Sequence, residues 1–211
     1  MKVAIFGASG STGRLLTERS LVAGYEVSAL VRRPEVFAQR EQVRVVAGSA
    51  FDPVAVRQTI DGADVVLSAL GARSWRREDV LERAVPLIVA AMRETRVRRI
   101  IALGSAGARE DSMKKQSAVQ RWIVHHIVYK TILKWPVASQ IAQWETLSAS
   151  GLDWTMVMPP MLTNGPGRGC RVDGEALPPG ASRISRTDVA EFMMRQIGSS
   201  EWVGKGVYIA W

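Results

Sequence analysis

Gly7-Ala8-Ser9-Gly10-Ser11-Thr12-Gly13 is the stretch of the chain whose residue types and spacing point most directly to chemistry. It follows an apolar run, Val3–Phe6, and precedes a segment of helical composition beginning near Thr12. Three glycines spaced G-x-x-G-x-x-G thus stand at a strand-to-helix junction. Gly7 closes a tight turn, Gly10 lets backbone approach a diphosphate with no Cβ in the way, and Gly13 lets the helix lie close on the strand. The unbonded amides that open a helix, with the hydroxyls of Ser9, Ser11 and Thr12 beside them, form an anion cradle. The first gap is one residue longer than in the commonest dinucleotide fingerprint, but the physics is the same. The next apolar run ends in Leu30-Val31-Arg32-Arg33-Pro34, with no acid. A carboxylate there would bind the ribose 2′-hydroxyl of NAD and repel a 2′-phosphate, whereas two guanidinium groups neutralise and bind that phosphate. The pair Arg32 and Arg33 therefore predicts NADP(H) in preference to NAD(H).

These residues need elements to hold them, and the chain supplies an alternation of strand-like and helical segments. The apolar runs are Val3–Phe6, Glu26–Val31, Val43–Val46, Asp64–Ser68, Arg99–Leu103 and Trp154–Met158, with a late one at Val207–Ala210. Helices are expected at Thr12–Ala23, Pro53–Ile60, Arg77–Thr95, within Lys114–Ser150, and from Asp188 to Ile197. Gly24 suits the left-handed residue that stops a helix, and Asp52-Pro53 reads as a cap followed by proline in the first turn. Strands alternating with helices predict an α/β fold, a doubly wound parallel sheet with helices on both faces, in one domain spanning residues 1–211 with a small substrate-side lobe. Two segments exceed that plan. Residues 114–137 interleave Trp122, Ile123, Ile127, Val128, Ile132, Leu133 and Trp135 with lysines and arginines, which predicts an amphipathic helix, ended by Pro136, acting as a lid or a partner surface. Residues 161–185 are rich in glycine and proline and read as a long loop over the carboxyl ends of the strands.

Composition excludes other classes. The 211 residues are 47% hydrophobic and 23% charged, as in folded soluble domains. With one cysteine, Cys170, and two adjacent histidines, neither a disulfide nor a usual zinc site can be assembled, so no metal is expected and a reducing cytoplasmic location is. No apolar stretch approaches the length of a transmembrane helix. The formal charge of +8 comes from 28 basic and 20 acidic residues, and the basic ones are scattered without an aromatic-basic recognition motif. No nucleic-acid partner is expected.

The opening Lys2–Gly13, together with Ala23-Gly24-Tyr25-Glu26-Val27, Leu30-Val31-Arg32, Val157-Met158-Pro159-Pro160 and Arg183-Ile184-Ser185-Arg186-Thr187-Asp188, resembles the atypical short-chain dehydrogenase/reductase group of NAD(P)H-binding, NmrA-like proteins. Within it the likeness is to the branch that includes biliverdin-IXβ reductase, a flavin reductase. The resemblance implies a Rossmann-like domain with Gly7, Ser9, Gly10, Ser11, Thr12 and Gly13 on the diphosphate and Arg32, with Arg33, on the 2′-phosphate. It further implies Ala69, Leu70 and Gly71 beside the nicotinamide ribose and Ser105 near the nicotinamide, as cofactor contact and catalytic candidate. Met158 and Pro159 would close the cofactor pocket, and Trp75, Trp144, Pro160 and Met161 would face the acceptor.

One departure bears on the reaction. Carbonyl-reducing members use a Tyr-x-x-x-Lys pair, and Tyr25, Tyr129 and Tyr208 all lack a lysine four residues on. A planar conjugated acceptor of flavin, bilin or quinone type needs no such pair, since it takes hydride directly and its proton from water. The expected function is therefore an NADPH-dependent reductase of such a small-molecule acceptor. The alternatives are a non-catalytic NADP(H) sensor or scaffold, with 114–137 as a partner or homo-oligomer contact, and a cofactor-assisted isomerase.

Overall fold

The computed structural model describes residues 1–71, 78–124 and 134–211. Along β1 (Lys2–Phe6), Val3 and Ile5 enter one core and Ala4 and Phe6 the other, so a strand apolar on both faces is buried on both. The same logic produces β2 (Glu26–Val31), β3 (Arg44–Ala47), β4 (Val65–Ser68), β5 (Arg99–Leu103) and β6 (Asp153–Met158), each within one residue of its sequence-predicted bounds. Three short strands, β7 (Met161–Thr163), β8 (Arg171–Asp173) and β9 (Arg183–Ser185), precede β10 (Lys205–Ala210). The main sheet runs β3-β2-β1-β4-β5-β6-β10-β8, parallel throughout except for β8. β7 and β9 pair in a separate small sheet.

Helices cover both faces. α1 (Ser11–Val22) and α6 (Arg186–Arg195) contribute Leu16, Val189, Phe192 and Met193 to one core. α2 (Pro53–Ile60), α3 (Val80–Glu94) and α5 (Lys134–Ser148) contribute Val56, Ile88, Met92 and Leu147 to the other. The local punctuation acts as its chemistry dictates. Gly24 takes φ +74° past the end of α1, and the Asp52 carboxylate accepts the Val54 amide at 2.9 Å with Pro53 in the first turn of α2.

Three sequence expectations are corrected. Residues 161–185 are not one loop, because β7, β8 and β9 lie within them. Pro136 does not end a helix, since α5 runs on through it to Ser148. α6 starts at Arg186 rather than Asp188, because Ser185 is the cap and its hydroxyl accepts the Asp188 amide at 3.0 Å. The expected amphipathic helix over 114–137 is represented by α4 (Ala118–Ile123) and the start of α5, and its middle, residues 125–133, lies outside the described residues. At its start, Lys114 and Lys115 pair with Glu175 and Asp173 at the surface. Among the described residues no helix is long and apolar enough to cross a membrane.

Candidate functional site

In an open parallel sheet the crevice falls where the strand order reverses, outside the carboxyl ends. Here the reversal lies between β1 and β4, and the chain leaving β1 is pressed against the chain leaving β4. Gly7 shows how closely: its φ is +78°, and a Cβ built on it would lie 2.7 Å from the Ala69 carbonyl oxygen. The glycine loop then folds on itself, with the Gly10 amide donating to the Gly7 carbonyl at 2.9 Å. α1 begins immediately after, and a Cβ on Gly13 would sit 2.0 Å from that same carbonyl oxygen. The turn therefore has no room for side chains at Gly7 or Gly13. Gly10 caps α1 and supplies no side chain to its amides, which leaves the first turn of the helix to donate outward.

A cleft of about 630 Å³ opens at this point. It is lined by the glycine loop (Gly7, Ser9, Gly10, Ser11 and Thr12) and by Ala69, Leu70 and Gly71 after β4. Arg32 after β2, Gly48, Ser49, Ala50 and Phe51 after β3, and Glu78, Val80 and Arg186 line it as well. The volume lies in the range of small-molecule sites. Phe51 is steadied by the Arg83 guanidinium, 4.1 Å from its ring centre, and its amide donates to the Ser49 hydroxyl at 3.2 Å. The chemistry of the lining suits a dinucleotide: a backbone anion cradle, an exposed guanidinium from Arg32, and apolar surface from Leu30 and Phe51.

The remaining candidates lie elsewhere. Arg33 is exposed and precedes the turn Pro34–Val36, outside the cleft lining. The Ser105 hydroxyl accepts the Gly107 amide at 3.3 Å and so caps the turn Ala106–Ala108. The Pro159 carbonyl accepts the Ala106 amide at 3.0 Å, which ties the ends of β5 and β6 together. Met158 is buried with Trp144 over Gly206, where a Cβ would meet the Met158 methyl and the Trp144 ring at 2.4 Å each. Trp144 also packs edge-on against Trp154, ring centres 5.2 Å apart, and carries the Arg109 guanidinium on its face at 4.9 Å. That places Trp144 between α5 and the sheet. Pro160 is half-buried, Met161 is exposed at the start of β7, and Trp75 lies outside the described residues. Sequence reasoning did not assign Phe51, Glu78 or Arg186 to the cleft. Only Arg186 carried a signal, as part of the family-like stretch Arg183–Asp188.

Next to the cleft stands a buried carboxylate. Asp188, 4% exposed, accepts the Arg168 and Gly169 amides at 3.0 and 2.9 Å, the Trp211 indole at 2.7 Å and the Ser185 hydroxyl at 2.8 Å. Burial alone would raise its pKa, but the hydrogen bonds from Trp211, Ser185, Arg168 and Gly169 outweigh it and hold the carboxyl below its ordinary value. It fastens the Arg168–Gly169 backbone to α6.

A switch-point cleft with a glycine cradle on a doubly wound parallel sheet defines a Rossmann-like nucleotide-binding protein. The family model described as NAD(P)H-binding matches residues 7–200, and the chain belongs to that family. Solved structures share the fold. The anaerobilin reductase ChuY of Escherichia coli O157:H7 superposes with a TM-score of 0.83 at 19% identity, over 100% of this chain and 97% of that one. A short-chain dehydrogenase/reductase of Veillonella parvula in complex with NADP gives 0.79 at 19%, over 100% and 94%. A Burkholderia pseudomallei protein, provisionally described as exported, gives 0.78 at 25% over the whole of both chains. Among curated proteins, an uncharacterized Mycobacterium tuberculosis protein is 34% identical over 102 residues, 48% of this chain and 12% of its own length. YwnB of Bacillus subtilis is 28% identical over 108 residues, about half of each chain. The chain thus spans a small part of the mycobacterial relative.

Proposed function

We propose that the protein is an NADPH-dependent reductase of a planar conjugated acceptor of flavin, bilin or quinone type, working in the cytoplasm. The observation that carries the reading is the cleft itself. It combines the anion cradle at the start of α1 with an exposed arginine, Arg32, and the run that ends β2 carries no acid. The nicotinamide, when bound, supplies hydride. The residues of this chain bind and orient it: the α1 amides with Ser9, Ser11 and Thr12 take the diphosphate, Arg32 takes the 2′-phosphate, and the turn Ala69–Gly71 supports the nicotinamide ribose. Arg33 stands beside Arg32 as a further cation for the phosphate. Ser105, Met158 and Pro159, at the ends of β5 and β6, bound the nicotinamide side, and Trp75, Trp144, Pro160 and Met161 are the acceptor-side candidates.

Tyr208 is buried, and Tyr25 precedes β2 with Ala29 four residues on. A flat acceptor stacked on the nicotinamide is therefore favoured over a ketone, because its proton can come from water. The anaerobilin reductase among the structural neighbours is consistent with an acceptor of this class.

Replacing Arg32 by alanine is expected to weaken NADPH roughly ten- to a hundredfold, the worth of about 1.5–3 kcal/mol for a charge-assisted contact, and to leave NADH nearly unchanged. Fluorescence titration of both nucleotides checks this, and equal losses would remove the 2′-phosphate assignment. Turnover is read from loss of NADPH absorbance over a panel of flavins, biliverdins, quinones and simple carbonyls. Activity confined to the planar members is expected. Tight NADPH binding with no turnover on any of them would replace the reductase by a cofactor-binding sensor, a reading favoured by the commitment of Ser105 to a structural cap.

A further inference from the structure

Arg186 stands where two parts of the molecule meet. It opens α6 and lines the cofactor cleft, yet its Nη1 donates to the Asn164 side-chain oxygen at 2.8 Å. The next two residues of the helix hold the same segment: the Thr187 hydroxyl donates to the Gly165 carbonyl at 2.9 Å, and Asp188 accepts the Arg168 and Gly169 amides. One helical turn therefore fastens residues 164–169, the stretch that continues from β7 on the acceptor side. Of those three side chains, only Arg186 belongs to a residue that also lines the cleft.

Arg186 is also close to the diphosphate cradle. α6 returns the chain to the start of β10 as α1 returns it to the start of β2, so both helices begin at the carboxyl ends of the strands. They pack side by side, with Ser20 near the end of α1 donating to the Met194 sulfur near the end of α6 at 3.5 Å. Their first turns are therefore neighbours. A guanidinium has five N–H donors in a planar fork, and Asn164 accepts one of them in the contact described. The others leave Arg186 able to hold an anion and Asn164 together.

We propose that Arg186 binds the diphosphate of the cofactor while holding Asn164, and so couples occupancy of the cofactor cleft to the order of the 164–169 segment on the acceptor side. The proposal rests on the nucleotide reading of the cleft. Coupling of this kind is reciprocal: an acceptor that orders 164–169 tightens the cofactor by the same factor that the cofactor tightens the acceptor.

The test compares NADPH with adenosine 2′-monophosphate, which carries the 2′-phosphate but no part of the diphosphate or the nicotinamide. Titrations on wild type, Arg186→Ala, Arg186→Lys and Asn164→Ala are combined with amide hydrogen exchange of Asn164, Gly165 and Gly167. Arg186→Ala is expected to lose roughly ten- to a hundredfold in NADPH affinity and nothing in monophosphate affinity, which also shows that the variant is folded. Arg186→Lys should recover part of the NADPH affinity through its charge. In wild type NADPH should slow exchange at the three amides and the monophosphate should not. The slowing should vanish in Arg186→Ala and in Asn164→Ala, the latter with NADPH affinity within a few-fold of wild type. Unchanged NADPH affinity in Arg186→Ala, or equal protection with and without the arginine, overturns the proposal. Failure of wild type to bind either nucleotide overturns the cleft assignment instead.

Discussion

Gly13→Ala is expected to abolish measurable NADPH binding, a loss of more than about a hundredfold, and to lower stability by about 1–3 kcal/mol through overpacking. The added Cβ would lie 2.0 Å from the Gly7 carbonyl oxygen, 2.6 Å from its carbon and 2.9 Å from the Ala8 Cα. All three are backbone atoms of the cradle, so no side chain can swing aside to relieve the clash. Either α1 lifts from the sheet or the turn at Gly7 opens, and both movements misplace the amides that face the diphosphate. Gly24→Ala is the control. It imposes a strained left-handed residue, at φ +74°, which Gly13→Ala does not, but its Cβ meets nothing within 4 Å. It should cost about 1 kcal/mol and leave NADPH affinity intact. Thermal unfolding beside nucleotide titration separates the two effects, and retention of NADPH binding by Gly13→Ala would rule out the loop as the diphosphate site.

The second large effect is expected at Asp188. Asparagine in its place keeps one acceptor oxygen and turns an NH2 toward groups that are themselves donors: the Arg168 and Gly169 amides, the Trp211 indole and the Ser185 hydroxyl. Removing the charge from a buried, fully bonded site and leaving donors unpaired should destabilise the fold by about 2–4 kcal/mol. The pH dependence has a definite sign. The folded carboxyl sits below its ordinary value, so its stabilisation is fully present above the unfolded value of about 3.9 and is lost as pH falls through the folded one. Urea unfolding of wild type and Asp188→Asn from neutral pH downward should show a constant gap that narrows below about pH 4. A gap that widens on acidification would contradict the assignment.

The core sheet was legible because each of its long strands is a short apolar run bounded by turn residues, and the glycine loop because its spacing answers a steric requirement. The cap at Asp52 and the stop at Gly24 were readable for the same local reason. Three-residue strands such as β7, β8 and β9 have too few positions to show a period, and β8 finds its partner only in β10, later in the chain. The start of α6 lay in Ser185-Arg186-Thr187-Asp188, where serine caps and aspartate stands three residues on. Reading the aspartate as the beginning displaced the helix by two residues. Trp144 and Met158 are assigned to the pocket through the resemblance; they pack between α5 and the sheet and there line a second cleft with Arg109 and Tyr208, a setting fixed by pairings distant in sequence. Arg186 and Phe51 reach the cleft from distant parts of the sequence, and only the strand order brings them there.

The antiparallel pairing of β8 with β10 also sets an order of assembly. β1 to β5, α1 and the turns lining the cleft, Arg186 apart, are complete within the N-terminal half of the chain and pair among near neighbours in sequence. β8 has no place in the sheet until β10 has docked on β6. The half that carries the glycine loop thus needs no later strand to complete its own pairings, and the C-terminal strands add to its edge. A ligand for that half would be able to bind before the remainder is in place and hold it during folding.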